Sequence, residues 1–400
     1  MIYFRRGENI MEGGVSSVKK IFVLILAVLL CFLSTACGSS DVTTVGADED
    51  TTTTLNTDAV TTLPPAEPVP QCDHQEETME GKAPTSVDTG LTEGKRCTLC
   101  GKITKVQDVI PPLSVISGLE YRLNEDRSSY TVVSAGEHVV NDELIIPHLF
   151  NGLPVTDIGA GAFKENTSIK SLIIPSTVKY IEKEAFASCT EITEVTLNEG
   201  LIYIGSDAFT GCSSLKEIVL PDTVSSTGLA VFANCEALEK AVISSSMEEI
   251  NWSTFSQCVS LKTVVMPDSV RIIGVGAFYN CDSLTEVPFG KSVVKIKAYA
   301  FEDCDGFTDI VFPDNVTYIG ERAFRSCENL KTVVIGEGVV YMGEYSFYGN
   351  QKLESFTVKK PNNWTVYAHS GYMEVGTYSF TDPKNSANTM SNYSNCFKRV

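Results

Sequence analysis

The sequence has few histidines and no phosphate-binding loop, and both absences limit its chemistry. Its four histidines stand at positions 74, 138, 148 and 369, outside the regular repeats described below, so no recurring Cys–His or Ser–His pair can form within them. The glycines recur at turns and form no glycine-rich phosphate loop. The sequence therefore shows no catalytic constellation, and we expect no enzyme activity.

Basic side chains are also scarce. The chain has 31 Lys and Arg against 50 Asp and Glu, which gives a formal net charge of −19. A surface of this sign repels a phosphate backbone, so we do not expect a nucleic acid partner. With 43% hydrophobic residues in 400, the chain can still bury a sizeable core. These totals predict a folded, acidic protein, which we expect to be a monomer.

The chain lacks an apolar run long enough for a transmembrane helix. The run IFVLILAVLLCFL has thirteen residues and follows several basic ones, which is typical of a signal peptide over residues 1–36. Translation starts at Met1 or Met11. The next residues, STAC, resemble the lipobox of bacterial lipoproteins, which implies that Cys37 becomes the acylated first residue of the mature chain. Ordinary secretion with cleavage near Ala36 is the alternative.

Residues 37–71 are rich in Thr, Pro and Asp and contain no aromatic side chain. Such a segment has too little apolar surface to form a core, so we predict a disordered tether. With a lipid at its start, the tether would hold the rest of the protein away from the outer face of the bacterial cytoplasmic membrane.

A small cysteine- and histidine-containing module is predicted over residues 72–117. Cys97 and Cys100 have the spacing that lets two thiolates bind one tetrahedral ion, and Cys72 with His74 would complete a set of four ligands. A site with four protein ligands is structural, because it leaves no position for a substrate. A structural zinc ion is one interpretation, and a disulfide within the module is the other, since the compartment is oxidising. No other cofactor is expected.

The dominant feature of the sequence is a repeat of 23 residues. Nine phenylalanines keep this spacing without interruption: Phe163, Phe186, Phe209, Phe232, Phe255, Phe278, Phe301, Phe324 and Phe347. Three residues after the second to eighth of them stand seven cysteines: Cys189, Cys212, Cys235, Cys258, Cys281, Cys304 and Cys327. Asn166 and Asn350 take the cysteine position in the first and last repeats.

Each repeat continues as L-x-x-I-x-L, often followed by proline, as in LKEIVLP at 215–221. Apolar residues two apart are typical of a short strand, and the proline ends it. A single unit of this length cannot bury its apolar side, so neighbouring units must stack. The spacing therefore predicts a solenoid of nine coils over residues 151–358.

The pattern L..I.LP..V..IG..AF..C resembles the leucine-rich repeats of the BspA-like class. The resemblance implies a β-rich α/β solenoid, a curved right-handed superhelix with a parallel sheet on the concave face and short helical or irregular turns elsewhere. It extends to a β-rich N-terminal cap over residues 118–150 and a C-terminal cap or tail over residues 359–400. It also implies a bacterial cell-surface protein, often one that contacts a host.

The phenylalanine and cysteine columns are interpreted as core. A cysteine at the same turn of each coil faces inward, and a buried thiol behaves as a small, unreactive apolar group with a raised pKa. Disulfides between neighbouring coils are not expected, because seven thiols cannot pair off evenly. Asn at each end of the column suggests side chains that face solvent.

The concave face is the expected binding surface. It carries a β-branched stripe beside a mainly acidic one, and the candidate residues are Val219, Val242, Val265, Val311, Val334, Glu194, Glu217, Lys240, Glu286 and Asp309. An apolar stripe with a charged border is typical of a protein-binding surface. The alternative is that parallel strands simply favour Val and Thr.

One repeat is irregular. Its departures from the pattern are Thr227, Val231, Ser244, Trp252 and Thr254. They are consistent with neutral drift in a redundant array, or with a local binding feature on the convex side around Trp252.

Two functions follow from the sequence. The first is a lipid-anchored surface protein whose solenoid binds an extracellular protein or glycan, in adhesion or another cell contact. The second is a structural spacer of the envelope that carries the zinc-binding module. The sequence does not identify the partner.

Overall fold

The computed structural model of the chain describes residues 76–81, 90–91, 94–97, 103–105, 109–110, 118–136, 142–367, 374–392 and 395–399. The predicted signal peptide and the predicted tether lie outside these residues. Before the solenoid the described strands are β1 (Glu76–Met79), β2 (Gly90–Leu91), β3 (Gly94–Cys97), β4 (Ile103–Lys105) and β5 (Val109–Ile110). They pair antiparallel, as β1–β3–β4 and β2–β5.

A short set of strands precedes the regular coils. It consists of β6 (Glu120–Leu123), β7 (Tyr130–Ser134), β8 (Glu143–Ile145), β9 (Leu149–Phe150) and β10 (Leu153–Ile158). β6 pairs antiparallel with β7, and β10 runs parallel to β7. The aromatic rings of Tyr121 and Phe150 stack with their centroids 3.8 Å apart. These strands close the N-terminal end of the solenoid core.

The chain then forms the expected leucine-rich-repeat solenoid, a parallel β-solenoid of about ten turns with little helix. In chain order its strands are β11 (Ser171–Ile174), β12 (Tyr180–Ile181), β13 (Glu194–Leu197), β14 (Tyr203–Ile204), β15 (Glu217–Val219), β16 (Ser226–Thr227), β17 (Lys240–Val242), β18 (Glu249–Ile250), β19 (Thr263–Val265), β20 (Ile272–Ile273), β21 (Lys295–Ile296), β22 (Asp309–Val311), β23 (Tyr318–Ile319), β24 (Thr332–Ile335), β25 (Tyr341–Met342) and β26 (Ser355–Val358). The fold class predicted from the repeat is confirmed.

The first series of strands is formed by the L-x-x-I-x-L segments. It divides into three parallel sheets, β8–β11–β13, β15–β17–β19 and β22–β24–β26. Between the second and third, the coil that contains Pro288 forms no strand of this series among the described residues, because proline has no N–H to donate to a neighbouring strand. Between the first and second, Glu194 and Glu217 occupy equivalent positions in adjacent coils, and like charges side by side disfavour pairing.

A second series of parallel strands lies on the return leg of each coil. Each of these strands has two residues, such as Tyr180–Ile181, and Ile181 pairs with Ile204 of the next coil. The sequence pattern did not predict these strands, because two residues are too few to show an alternation. The series is interrupted between β16 and β18. There the side-chain amide of Asn251 donates a hydrogen bond of 2.5 Å to the carbonyl oxygen of Thr227.

The phenylalanines occupy a turn on the third side of each coil. In one such turn Glu184 and Ser188 have left-handed φ angles of 57° and 59°. The backbone N–H of Phe186 donates to the carbonyl oxygen of Ala208 in the next coil over 2.8 Å. All nine rings stack on their neighbours with centroids 5.0 to 5.6 Å apart. Offset stacking at this distance adds to the apolar burial that holds the coils together.

The seven cysteines stand beside this stack with fully buried side chains and free thiols. Each thiol lies close to the carbonyl oxygen of the phenylalanine of the preceding coil, as Cys235 does to Phe209 over 3.3 Å. The thiol is a weak donor, so the column both fills space and satisfies a buried carbonyl group. Burial raises the pKa of the Cys189 thiol to about 11, and it also raises the pKa of the Cys235 thiol well above its ordinary value.

The C-terminal end of the solenoid is covered by β27 (Trp364–Tyr367), β28 (Glu374–Tyr378), α1 (Pro383–Asn392) and β29 (Cys396–Arg399). β29 pairs antiparallel with both β25 and β27, and α1 packs against β26. The expectation that Asn350 faces solvent is wrong, since this residue is fully buried. The reason is that the chain returns over the last coil, where the N–H of Gly349 donates to the carbonyl oxygen of Ser391.

Candidate functional site

The candidate binding surface is the outward side of the first strand series, which we call the strand face. The strands alternate, so Ile218 points into the core and Val219 points out. Val219 and Val265 are each 47% exposed, and Val311 is 62% exposed. Val242 and Val334 in the same column are half-buried. The solenoid therefore presents a row of β-branched side chains along the strand face.

The residues that border this row carry positive as well as negative charges, although the adjacent column is mainly acidic. Glu217 and Lys240 form an ion pair with an N–O distance of 2.6 Å, and both side chains are about half exposed. One residue earlier in the coils, Lys262 pairs with Glu239 over 2.8 Å. Exposed pairs of this kind contribute at most about 1 kcal/mol to stability. Their effect on the surface is to cancel part of its negative charge.

Asp309 and Glu286 are both exposed on the strand face but differ in their contacts. Asp309 accepts hydrogen bonds from the hydroxyl groups of Thr332 and Thr308. These bonds hold the pKa of the Asp309 carboxyl below its ordinary value. Glu286 precedes Pro288 in the coil without a strand, and Glu194 borders the gap between β13 and β15. Both interruptions of the first series thus lie next to an exposed glutamate.

Sequence reasoning missed the lysines that border the acidic column. Lys170, Lys216, Lys262 and Lys331 all stand seven residues after a repeat phenylalanine and are exposed. These lysines directly precede the first residue of each strand. They fall outside the alternation of inward and outward side chains that defines the strand face, so that alternation did not predict them. The 23-residue register itself would have revealed them.

The predicted metal ligands and lipid site are only partly described. Cys97 ends β3, while Cys72, His74 and Cys100 lie outside the described residues, as does Cys37. In the part of the chain that the structure describes, no His, Cys, Asp and Glu side chains are grouped as metal ligands would be. In that same part, no helix has the length and apolar character needed to span a bilayer. The zinc and lipid assignments stay predictions.

The irregular repeat is accommodated by local hydrogen bonds. Ser244, which stands where other coils have a proline turn, is fully buried and donates to the carbonyl oxygen of Val224 over 2.6 Å. Thr254 is buried and donates to the carbonyl oxygen of Asn251 over 2.8 Å. Trp252 is half-buried at the start of its turn, beside Leu229, which is 46% exposed.

An ion pair with a buried carboxylate lies on the turns of the later coils. Arg325 donates to Glu302 over 2.5 Å, and the Glu302 side chain is only 5% exposed. Burial raises the pKa of the Glu302 carboxyl to about 7, against the opposing effect of Arg325. Nearby, the guanidinium group of Arg322 lies over the rings of Tyr299 and Tyr345, with its Cζ 5.3 and 5.4 Å from the centroids.

The repeat that builds the strand face also identifies the family. A family model described as "BspA type Leucine rich repeat region" matches six copies of the repeat, over residues 156–285 and 249–371, which together are more than half of the chain. The chain belongs to this family. As a BspA-type leucine-rich repeat protein, it has the solenoid that the sequence pattern predicts. The family leaves the partner of the exposed columns open, because proteins that share a fold differ in their sites.

Several solved structures are similar to this BspA-type protein. A leucine-rich repeat protein of T. pallidum is 27% identical, with a TM-score of 0.42, over 55% of this chain and 90% of that one. A leucine-rich cell surface protein of Faecalibacterium prausnitzii A2-165 is 24% identical, with a TM-score of 0.40, over 69% and 97% of the two chains. The pneumococcal vaccine antigen PcpA is 20% identical, with a TM-score of 0.39, over 60% and 80%. The comparison with curated proteins gave no match.

Proposed function

We propose that this BspA-type protein is a non-catalytic binding protein of the bacterial cell surface whose strand face binds an extracellular protein. The observation that supports this most strongly is the row of exposed valines, of which Val311 is 62% exposed. Valines that project from a rigid sheet into solvent offer apolar area at little cost in side-chain entropy. The bordering ion pairs supply the polar rim of such an interface.

A protein is favoured over a glycan on this face because of its side chains. The outward column holds Val, Ile, Thr and one Pro, and no aromatic ring that would stack on a sugar. The border carries side chains of both charges, as in the ion pair of Glu217 with Lys240, which suits a partner surface of mixed charge. We therefore expect apolar contacts to provide the affinity and the charged border to provide the orientation.

The test is a binding assay with the full-length protein in detergent against matrix proteins and receptor ectodomains at physiological salt. We expect the double variant Val265→Asp, Val311→Asp to weaken binding by about tenfold or more, which is about 1.4 kcal/mol. Val340→Asp is the matched control, because Val340 is 41% exposed and directly precedes β25 of the second strand series, away from the strand face. Equal binding by the double variant and the wild type contradicts the site. If none of the tested proteins binds, the alternative function, a structural spacer of the envelope, is favoured.

The surface location is supported by the N-terminal sequence. We propose that Cys37 carries the lipid that holds the protein on the outer face of the cytoplasmic membrane. Cells that express the wild-type protein should incorporate radiolabelled palmitate into it, and the Cys37→Ala variant should not. Labelling that survives this substitution excludes Cys37 as the site.

A further inference from the structure

Three consecutive turns in the middle of the solenoid carry no charged residue. They are residues 229–234, 252–257 and 275–280, around the phenylalanines of three adjacent coils. Each of the six other phenylalanine turns contains at least one Asp, Glu, Lys or Arg. In a chain with a net charge of −19, a charge-free area across three coils sets this surface apart from the rest of the turns.

Two rows of side chains border this area, which we call the uncharged strip. At the start of the turns stand Leu229, Trp252 and Val275, all at least partly exposed. At the end of the same turns stand Asn234, Gln257 and Asn280, also partly exposed. The exposed or half-buried residues between the rows are small, so nothing bulky separates the two rows over the first two coils.

The amide row is available to a ligand. Asn234, Gln257 and Asn280 all have left-handed φ angles, of 58°, 64° and 55°. Within the part of the chain that the structure describes, none of these three side-chain amides has a hydrogen-bond partner. Each amide offers two donors and an acceptor. The three amides recur once per coil. In these coils the centroids of neighbouring phenylalanine rings are 5.5 to 5.6 Å apart.

We propose that the uncharged strip binds a neutral oligosaccharide, extended along the solenoid axis. The amides donate to and accept from sugar hydroxyl groups, and the indole of Trp252 packs against the C–H face of a sugar ring. Each β-1,4-linked sugar advances by nearly the width of one coil, so successive sugars meet successive amides. Asp207 and Asp303 stand in the turns on either side of the strip and disfavour a negatively charged chain.

The proposal is tested by isothermal titration of the full-length protein in detergent with cellohexaose and chitohexaose, and with hexagalacturonate as the anionic probe. We expect a neutral probe to bind and the anionic one to bind at least about tenfold more weakly. Gln257→Glu places a charge in the strip with little change in shape and should weaken binding by about tenfold. Gln351→Glu is the matched control, because Gln351 is exposed outside the strip and this variant should bind as the wild type does.

Three outcomes overturn the proposal. They are no binding of either neutral probe, equal binding of the anionic probe, and a Gln257→Glu variant that binds as tightly as the wild type. Trp252→Ala provides a second measurement, with circular dichroism to verify its fold, and should also lose about tenfold in affinity. Because the strip and the strand face are separate, Val265→Asp should leave sugar binding unchanged, which distinguishes this site from the proposed protein site.

Discussion

The side-chain amide of Asn350 donates a hydrogen bond to the carbonyl oxygen of Phe324 over 3.0 Å. In the preceding coils a cysteine thiol takes the same place, as Cys327 does beside Phe301 over 3.3 Å. The amide of Asn350 also donates to Phe347 and accepts from the N–H of Cys327. The last residue of the column thus satisfies polar backbone groups of two coils where no further coil follows.

Asn350→Ala should lower the free energy of unfolding by about 2–4 kcal/mol, because it leaves a buried N–H and two carbonyl groups without this partner. Asn350→Cys should cost less, since a thiol there reproduces the contact that Cys327 makes with Phe301. Equilibrium unfolding in urea measures both. Equal losses for the two variants would show that the thiol does not replace the amide.

The seven thiols of the column should not react in the folded protein. All are fully buried, and burial raises their pKa, so little thiolate forms at neutral pH. Alkylation of the native protein with iodoacetamide, followed by mass spectrometry of its peptides, should find these cysteines unmodified. The same treatment in guanidinium chloride should modify all seven. Rapid native labelling, or disulfides in the denatured sample, would contradict the structure.

Stability should fall as the pH rises from about 4.5 to 7 because of Glu302. Its pKa rises from the ordinary 4.5 to about 7 on folding, so the folded protein retains a proton that the unfolded chain releases in this window. The loss should reach about 3 kcal/mol at the upper end. Glu302→Gln should remove this part of the pH dependence, measured by urea unfolding at several pH values. Glu286→Gln on the strand face is the surface control and should keep the pH dependence of the wild type. If the free energy of unfolding of Glu302→Gln changes with pH as that of the wild type does, Glu302 is not the group responsible.

Gly205→Ala should destabilise the solenoid by about 2 kcal/mol or more through overpacking. A Cβ at this position would lie 2.6 Å from backbone atoms of Glu182 and Lys183 in the preceding coil. Gly211→Asn should be tolerated, because Gly211 has a φ of 72° and Asn234 adopts a left-handed φ at the equivalent position of the next coil. Thermal unfolding of the two variants makes the comparison. Similar unfolding midpoints for the two variants would contradict the prediction, because they would show that neighbouring coils can move apart to accommodate the added Cβ.

Much of the fold was predictable because the repeat is visible in single residue types. Phe255 and Leu261 keep their columns, and a column of large apolar residues in a fixed register can only be an inward one. The second strand series was not predictable, because Tyr203 and Ile204 form too short a segment to show an alternation. The burial of Asn350 depends on a distant segment, through Ser391, and no local pattern encodes that contact.

Some features of the candidate sites were also predictable from the sequence, and others required the structure. The positions of Val219 and Val265 on the strand face follow from alternation alone. The ion pair of Glu217 with Lys240 was not predicted, although both residues stand in one column, because pairing depends on how two long side chains meet across adjacent coils. The free amides of the uncharged strip also required the structure. A sequence shows where Gln257 stands, but not whether its side chain already has a partner.

The uniform register of the coils bears on how long such a molecule can be. In the phenylalanine turns each coil makes the same backbone hydrogen bond to the next coil, as when the N–H of Phe186 donates to the carbonyl oxygen of Ala208. Insertion or loss of 23 residues within this stack of turns would therefore leave its repeated contacts and both ends of the solenoid intact. It would change the length by about 4.8 Å, the spacing of adjacent strands. Unequal recombination within the gene would thus adjust the reach of the protein in whole steps.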